Sequence, residues 1–514
     1  SQKNTRHIKC RREGENMNEE FDEEEYMNEY TENVEKATNI LPSIVSGFID
    51  DACKVSHMNE IPAALSFFTI LGQLAKDFVV IPNGQSREDT RIHFLQIQTS
   101  GTGKSTLYNF VGPVAKRTFE GINKKSIHPT NLPLALETGD FEGPKEFDVM
   151  SVVDYTDAGL LSGMAEIEVE EEDDNGNMRR RREMQRVAGI LEGSGLAHWD
   201  EFEYSGVFST SEHKKSAIVY LNTLMNTLAG ENWVITKKLK EGDIQKTFCE
   251  RSVLAMTYPP KKLEEVMTHK GVLQRMIVYV WDVPDFVQDK MRKTQIRKAG
   301  KIEEVNQPID KYVSALLKLY DALYQRYEDV GRDLTQTVQF ADDFTDAYMF
   351  RYEQMQAFIE REKPQVREIA SNFTTRLLKM LLKLSVLNCI AESPQYSKDE
   401  DKFIVNSRHV SQAAFLIQNC YSRLTMWLGS ALRIRRDEAL ANSKKPRLFA
   451  VYVEMDEKDE EGWVSKKLFL DAYINKEKVS QVQAYRDYKK HQDMFIEDKV
   501  GRSVFIKING DVKK

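Results

Sequence analysis

Between Gln98 and Thr106 the chain reads QTSGTGKST: two glycines flank a threonine, and a lysine and two hydroxyl residues follow at once. That combination suits the chemistry of a polyphosphate. Backbone N–H groups must converge on anionic oxygens, which takes turn conformations that Gly101 and Gly103 adopt without steric cost. Ser100, Gly101, Thr102, Gly103 and Thr106 then form the cradle, Lys104 reaches the terminal phosphate oxygens, and Ser105 puts its hydroxyl on Mg²⁺. Gln98 stands where the usual spacing GxxxxGK[ST] has its first glycine. The plainer reading is a glycine turn that happens to precede Lys-Ser. The apolar Phe94, Leu95 and Ile97 before it, and the helix-compatible Leu107, Tyr108 and Phe110 after it, favour strand, phosphate loop, helix.

Cleaving a phosphoanhydride also needs an acid on the metal side and a group that orients water. The run GSGLAHWDEF from Gly193 to Phe202 reads as a strand ending in that pair, with Asp200 holding Mg²⁺ and Glu201 polarising the attacking water. Asp154, behind the strand-like run at 149–153, is the alternative to Asp200. The buried run SVLAM ends at Thr257, a polar residue suited to sensing a γ-phosphate. Arg275, just ahead of another buried run, reaches a phosphate in a neighbouring subunit or pairs with a nearby carboxylate. WVITKKLKEGDIQKTF, from Trp233 to Phe248, reads as a hairpin with Lys237, Lys238 and Lys240 near its tip. Those lysines either grip nucleic-acid phosphates or are solvated surface charges.

Positioning these residues takes alternating strands and helices. Leu41 to Val79 carries two helical patterns, the second broadly apolar, and Phe78 to Pro82 reads as a short strand. EIEVEEEDDNGNMRRRREMQR, from Glu166 to Arg186, reads as a charged hairpin or insertion, and Tyr220 to Leu228 as a helix. Beyond Pro284 come helices over 310–327, 340–362, 372–391 and 409–428, whose Leu and Met stripes are core, with His409 structural. The last seventy residues read as helices over 448–455, 464–473 and 479–491, then strands over 494–497 and 503–508. Three helices and a hairpin form the winged-helix pattern, in which the third helix enters a major groove; the same module also docks proteins. The expected divisions are an acidic, disordered tail over 1–40, a helical segment over 41–80, the core over 81–290, a bundle over 291–440 and the winged helix over 446–510.

The 514 residues are 41 % hydrophobic and 30 % charged, which describes a soluble globular protein of several domains without a membrane span. The five cysteines show no CxxC pair and read as reduced core residues of a cytoplasmic protein. Net charge is −8, yet residues 13–36 hold eleven acidic residues and one lysine. The acidity therefore belongs to the tail, and the remainder is slightly basic.

Taken together, TSGTGKST, the WDEF pair, the Tyr-Pro-Pro strand end, GVLQRM, and TTRLLKMLLKLSVL followed by SRHVSQAAFLI resemble the phage- and plasmid-encoded P-loop ATPases associated with primase and helicase functions, over Leu41 to Leu428. The resemblance implies an α/β P-loop NTPase core of RecA-like or AAA+ type. It further implies ATP and Mg²⁺ as cofactors, single-stranded DNA as the track, a hexameric ring of identical subunits, and a primase or other replisome protein as partner. Its implied function is that of a replicative helicase or translocase. The rival reading is an ATP-switched loader or defence ATPase that binds protein or DNA without unwinding.

Overall fold

The computed structural model describes residues 39–56, 58–84, 86–125, 146–152, 160, 162–172, 178–202, 215–225, 234–238, 244–259, 271–298, 306–393, 403–442, 444–455, 457–459, 461–501 and 503–508. Nearly all of the acidic tail, Cys10, Asp154, Lys240 and the hairpin tip at 241–243 lie outside the described residues. The chain divides into two compact units, Ser1–Trp427 and Leu428–Lys514.

The first unit is built on a parallel sheet of five strands, in the order β10 (Ile277–Trp281), β3 (Phe94–Gln98), β9 (Ile244–Thr257), β7 (Gly193–Trp199), β4 (Phe147–Val152). Strands β3, β7 and β10 are buried along their whole length, as expected of a parallel sheet covered on both faces. Helix α1 (Ser43–Ser56) leads through a tight corner into α2 (Glu60–Ala75), every residue of which is buried. The second helix is tied to the sheet by polar contacts. Gln73 donates to the Glu250 carbonyl (2.8 Å) and accepts from Ser252 N (2.9 Å), and Lys76 pairs with Glu250 (2.6 Å).

Helix α3 (Lys104–Asn123) follows the glycine loop at 99–103 and packs on α1 and on α6 (Asn306–Asp329). Phe48 is the hub of that junction, with Phe67, Phe110 and Tyr312 rings at 5.2, 5.2 and 5.1 Å. Such tilted and edge-on arrangements favour aromatic quadrupoles. Helix α4 (Lys215–Leu224) lies between β7 and β9, and after β10 come α5 (Asp285–Lys298), α6, the short strand β11 (Gln339–Phe340), α7 (Phe344–Glu360), α8 (Pro364–Glu392), β12 (Ile404–Val405), which pairs parallel with β11, and α9 (Ser407–Asn442). His409 is indeed structural, bonded to Glu392 (3.2 Å) and to Asn406 N (3.0 Å).

Three sequence expectations change. Phe78 is not in a strand: Phe78 N and Val79 N close the end of α2 on the Ala75 carbonyl, and the Phe78 ring lies 5.0 Å from Tyr320. The strand is instead β1 (Ile81–Asn83), paired with β2 (Ser86–Glu88). SVLAM is not separate from the lysine hairpin, because β9 runs unbroken from Ile244 to Thr257 and β8 (Val234–Lys238) pairs antiparallel with its first five residues. Finally, Val464 does not start a helix, because Val464–Ser465 is a short strand paired with Ile506 and Phe505. The charged segment forms a separate two-stranded ribbon, β5 (Ser162–Glu172) with β6 (Met178–Ala188), whose register sets Glu168 opposite Arg182 and Glu170 opposite Arg180.

In the second unit, α10 (Lys444–Glu454), α11 (Lys466–Glu477) and α12 (Gln481–Lys490) pack with a three-stranded antiparallel sheet in the order β13 (Val464–Ser465), β15 (Ser503–Ile508), β14 (Phe495–Val500). Phe469, Tyr488 and Phe495 form its aromatic centre, with rings 5.2–6.1 Å apart. Among the described residues, no helix is long and apolar enough to cross a membrane.

Candidate functional site

Strand β3 ends at Gln98, and the chain turns back on itself before entering α3. Gly101 and Gly103 take φ of +75° and +82°. At Gly103 a side chain is excluded twice over, since a Cβ would also stand 2.5 Å from the Ser56 carbonyl oxygen. Gly103 is the N-cap of α3, and the first intrahelical bond runs from Leu107 N to the Gly103 carbonyl (2.8 Å). The main-chain N–H groups of Lys104, Ser105 and Thr106 therefore belong to the first turn of α3, at the positive end of its dipole.

A cleft of about 370 Å³ opens at this point, lined by Ser100, Gly101, Gly103, Lys104, Ser105, Thr106, Asp200, Glu201, Thr257 and Tyr258. Its walls are the carboxyl ends of three adjacent strands, β3, β9 and β7. In an open α/β sheet this is where ligands bind, in the crevice beyond the strand ends where successive connections leave in opposite directions. Here the chain leaves β3 toward β4 at one edge, whereas it leaves β9 toward β10 at the other.

Lys104 is nearly buried, and its Nζ donates to the Gln98 and Thr99 carbonyls (2.8 and 3.0 Å) and lies 4.7 Å from the centre of the Tyr258 ring. Across the cleft, Asp200 directly follows β7. Its carboxylate accepts the Glu201 N–H (3.1 Å), and Glu201 adopts φ +54°. A left-handed conformation at a glutamate costs about 1 kcal/mol or more, a kind of strain that gathers at functional sites. Behind this pair His198 stacks on Tyr108 of α3. Burial lowers the His198 imidazole to about 3 and raises the Tyr108 phenol to about 12, so both stay neutral.

The fold thus brings together Lys104, Ser105, Asp200, Glu201 and Thr257. Arg275 is not among the residues lining the cleft. Its guanidinium donates to Asn222 Oδ1 (3.0 Å) and to the Gly271 carbonyl (2.9 Å), and burial, then the charge of Arg376, lowers its pKa. Lys237 and Lys238 lie on β8, paired with the amino end of β9, whereas the cleft lies at that strand's carboxyl end. No family model and no curated protein matches the chain. The cleft's own geometry therefore carries the functional reading.

Hard oxygen donors line the same cleft, the Ser105 hydroxyl and the Asp200 carboxylate. That set fits a Mg²⁺ ion shared with substrate phosphates, a cation that prefers one or two carboxylates to an all-protein cage. Two residues were missed by sequence. Tyr258 had a signal in Pro259, since the residue before a proline is held extended and so keeps to the strand's line. Asn59 occupies the N-cap of α2, but its side chain makes no capping bond and reaches the Thr102 carbonyl of the glycine loop instead.

Proposed function

We propose that the chain is a P-loop ATPase of RecA-like or AAA+ type that works as a replicative DNA helicase or translocase. One observation carries the nucleotide part: the glycine-bounded loop, the Asp200–Glu201 pair and Thr257 line a single cleft at the carboxyl ends of β3, β7 and β9. In this reading the loop and the first turn of α3 bind the phosphates through main-chain N–H groups. Lys104 leaves the Gln98 and Thr99 carbonyls for a phosphate oxygen, and Glu201 orients the attacking water. Ser105 and Asp200 would hold Mg²⁺, which would supply positive charge to offset that of the transferring phosphoryl group. Phosphoryl transfer demands positioning and charge compensation more than covalent chemistry, which is why so few side chains suffice.

Thr257 ends β9, the strand between β3, which leads to the loop before Lys104, and β7, which Asp200 follows, and there it can report the γ-phosphate. The same strand begins in the lysine hairpin, so an unbroken run of 14 residues joins the sensing end to Lys237 and Lys238. That continuity favours a motor that pulls on single-stranded DNA over a simple hydrolase. A homohexameric ring would let Arg275 act on a neighbour's phosphate after exchanging its bond to Asn222, and a primase or other replisome protein is the partner the resemblance implies.

The second reading, an ATP-switched loader or defence ATPase, draws on the Leu428–Lys514 unit. Its three helices and antiparallel sheet would suit a winged helix, and Val482 and Tyr485 on α12 are more than half exposed beside Arg486, Lys489 and Lys490. One experiment tests both readings: phosphate release from MgATP, and unwinding of a forked duplex, by the chain and by Lys104→Ala. The expected result is DNA-stimulated hydrolysis with strand separation, both abolished by the substitution. Hydrolysis at a near-normal rate in Lys104→Ala removes the site assignment, and hydrolysis without strand separation favours the loader.

A further inference from the structure

Behind the phosphate loop three fully buried side-chain amides are joined in series. Gln98 Oε1 accepts from Gln96 Nε2, the same nitrogen donates to Asn59 Oδ1 (3.1 Å), and Asn59 Nδ2 donates to the Thr102 and Ser56 carbonyls (3.0 and 2.9 Å). Both donors of Gln96 and both donors of Asn59 are thereby used. The chain of amides spans the strand, the corner between α1 and α2, and the loop itself.

Its end point matters for phosphate binding. Thr102 is the middle residue of Gly-Thr-Gly, and its carbonyl points at Asn59. A peptide unit is planar and trans, so the Gly103 N–H is forced to the side opposite that carbonyl. A rotated peptide would turn the N–H inward and present a carbonyl oxygen to an anion. With glycine on both sides of Thr102 the loop's own backbone does little to prevent that rotation. Gln98, where the usual spacing has glycine, anchors the far end of the series.

We propose that Asn59, held by Gln96 and Gln98, is a positioning residue that fixes the Thr102–Gly103 peptide with its N–H toward the phosphates. The inference rests on the nucleotide reading given above. It makes the corner between α1 and α2 a working part of the nucleotide site, and it accounts for glutamine at 98.

The test is the KM and kcat for MgATP, with thermal melting alongside, in the full chain carrying Asn59→Ala, Asn59→Asp or Gln98→Gly. Asn59→Asp keeps the shape and the acceptor for Gln96 but removes the donor to Thr102. KM is expected to rise roughly tenfold in both Asn59 variants, the size of effect that loss of one buried hydrogen bond gives, with kcat changed less than about threefold. Gln98→Gly, which restores the usual spacing, is expected to raise KM as well. The double variant Asn59→Ala/Gln98→Gly should cost little more than the worse single one, because the residues act in series. If both Asn59 variants melt lower but keep the wild-type KM, Asn59 is only a structural residue and the proposal is overturned; improved binding in Gln98→Gly also overturns it. If Asn59→Ala does not fold, Asn59→Asp decides alone, and if neither folds, KM in Gln98→Gly decides. A wild-type chain that neither binds nor hydrolyses MgATP, indistinguishable from Lys104→Ala, would instead bring down the nucleotide reading, and this inference with it.

Discussion

Strand β3 has a buried lysine at each end, and the two are held in different ways. At the amino end Lys383 of α8 donates to the Arg91 carbonyl (3.0 Å) and pairs with Asp89 (3.3 Å), which in turn binds Arg91 (2.7 Å), while Lys379 pairs with Glu88. At the carboxyl end Lys104 donates to two carbonyls of its own loop, under the Tyr258 ring, at the edge of a cleft. The first lysine is locked among carboxylates that need it. The second is held by neutral oxygens and a ring, contacts that an incoming phosphate can replace. In the proposed reading the contrast separates a structural cation from a working one, though both are nearly buried.

The largest expected difference is in stability. Lys383→Met leaves the buried Asp89 carboxylate short of a partner and is expected to cost about 3–5 kcal/mol, read as a lowered midpoint in chemical denaturation. Lys104→Met is expected to cost about 1 kcal/mol or less, since the Gln98 and Thr99 carbonyls it leaves are uncharged. Equal losses would erase the distinction.

Acid should act on the same end of the strand. Burial would raise the Asp89 carboxyl, but the Arg91 and Lys383 charges outweigh it and hold it at about 2, below its ordinary 3.8. The unfolded chain takes up that proton first as pH falls. The stability gained is therefore present above about pH 4 and lost toward pH 2, about 2 kcal/mol in all. Denaturation midpoints across that window should show the loss in the wild type and in Lys104→Met, and a smaller one in Lys383→Met. A loss of the same size in Lys383→Met would mean that Lys383 does not hold Asp89 down.

The smallest effect is at the working end. Removing the ring with Tyr258→Ala takes away a contact worth about 0.5–1 kcal/mol and frees Lys104 to move. Nucleotide affinity should rise a few-fold in a titration with a fluorescent ATP analogue, with Tyr258→Phe near wild type. Weaker binding in Tyr258→Ala would mean that the ring contacts the nucleotide instead of restraining the lysine.

Where local pattern decides, the sequence was a good guide. The loop needs glycines at fixed offsets, β7 ends where its apolar run meets Asp200, and the hairpin arms are rich in strand formers. What escaped depends on residues distant in sequence. Asn59 looks like an ordinary helix cap, and only the corner between α1 and α2 brings it to Thr102, 43 positions on. Lys383 sits in a Leu-rich helical stripe, where nothing local reveals that Asp89 lies opposite. Phe78 has the composition of a strand, but the end of α2 and the tyrosines of α6 claim it. The interleaving of β9 between β3 and β7 follows from no single segment, yet it sets Thr257 beside both halves of the cleft.

Glu201→Gln tests the central claim most directly, by removing the charge proposed to orient water while keeping the side chain's size and the glycine loop intact. MgATP affinity and single-turnover phosphate release should be measured on the same preparation. The account predicts affinity within about threefold of wild type and release slowed by about 100-fold or more. Release at the wild-type rate would contradict it, because the cleft beyond β3, β9 and β7 would then not be where the phosphate is cut.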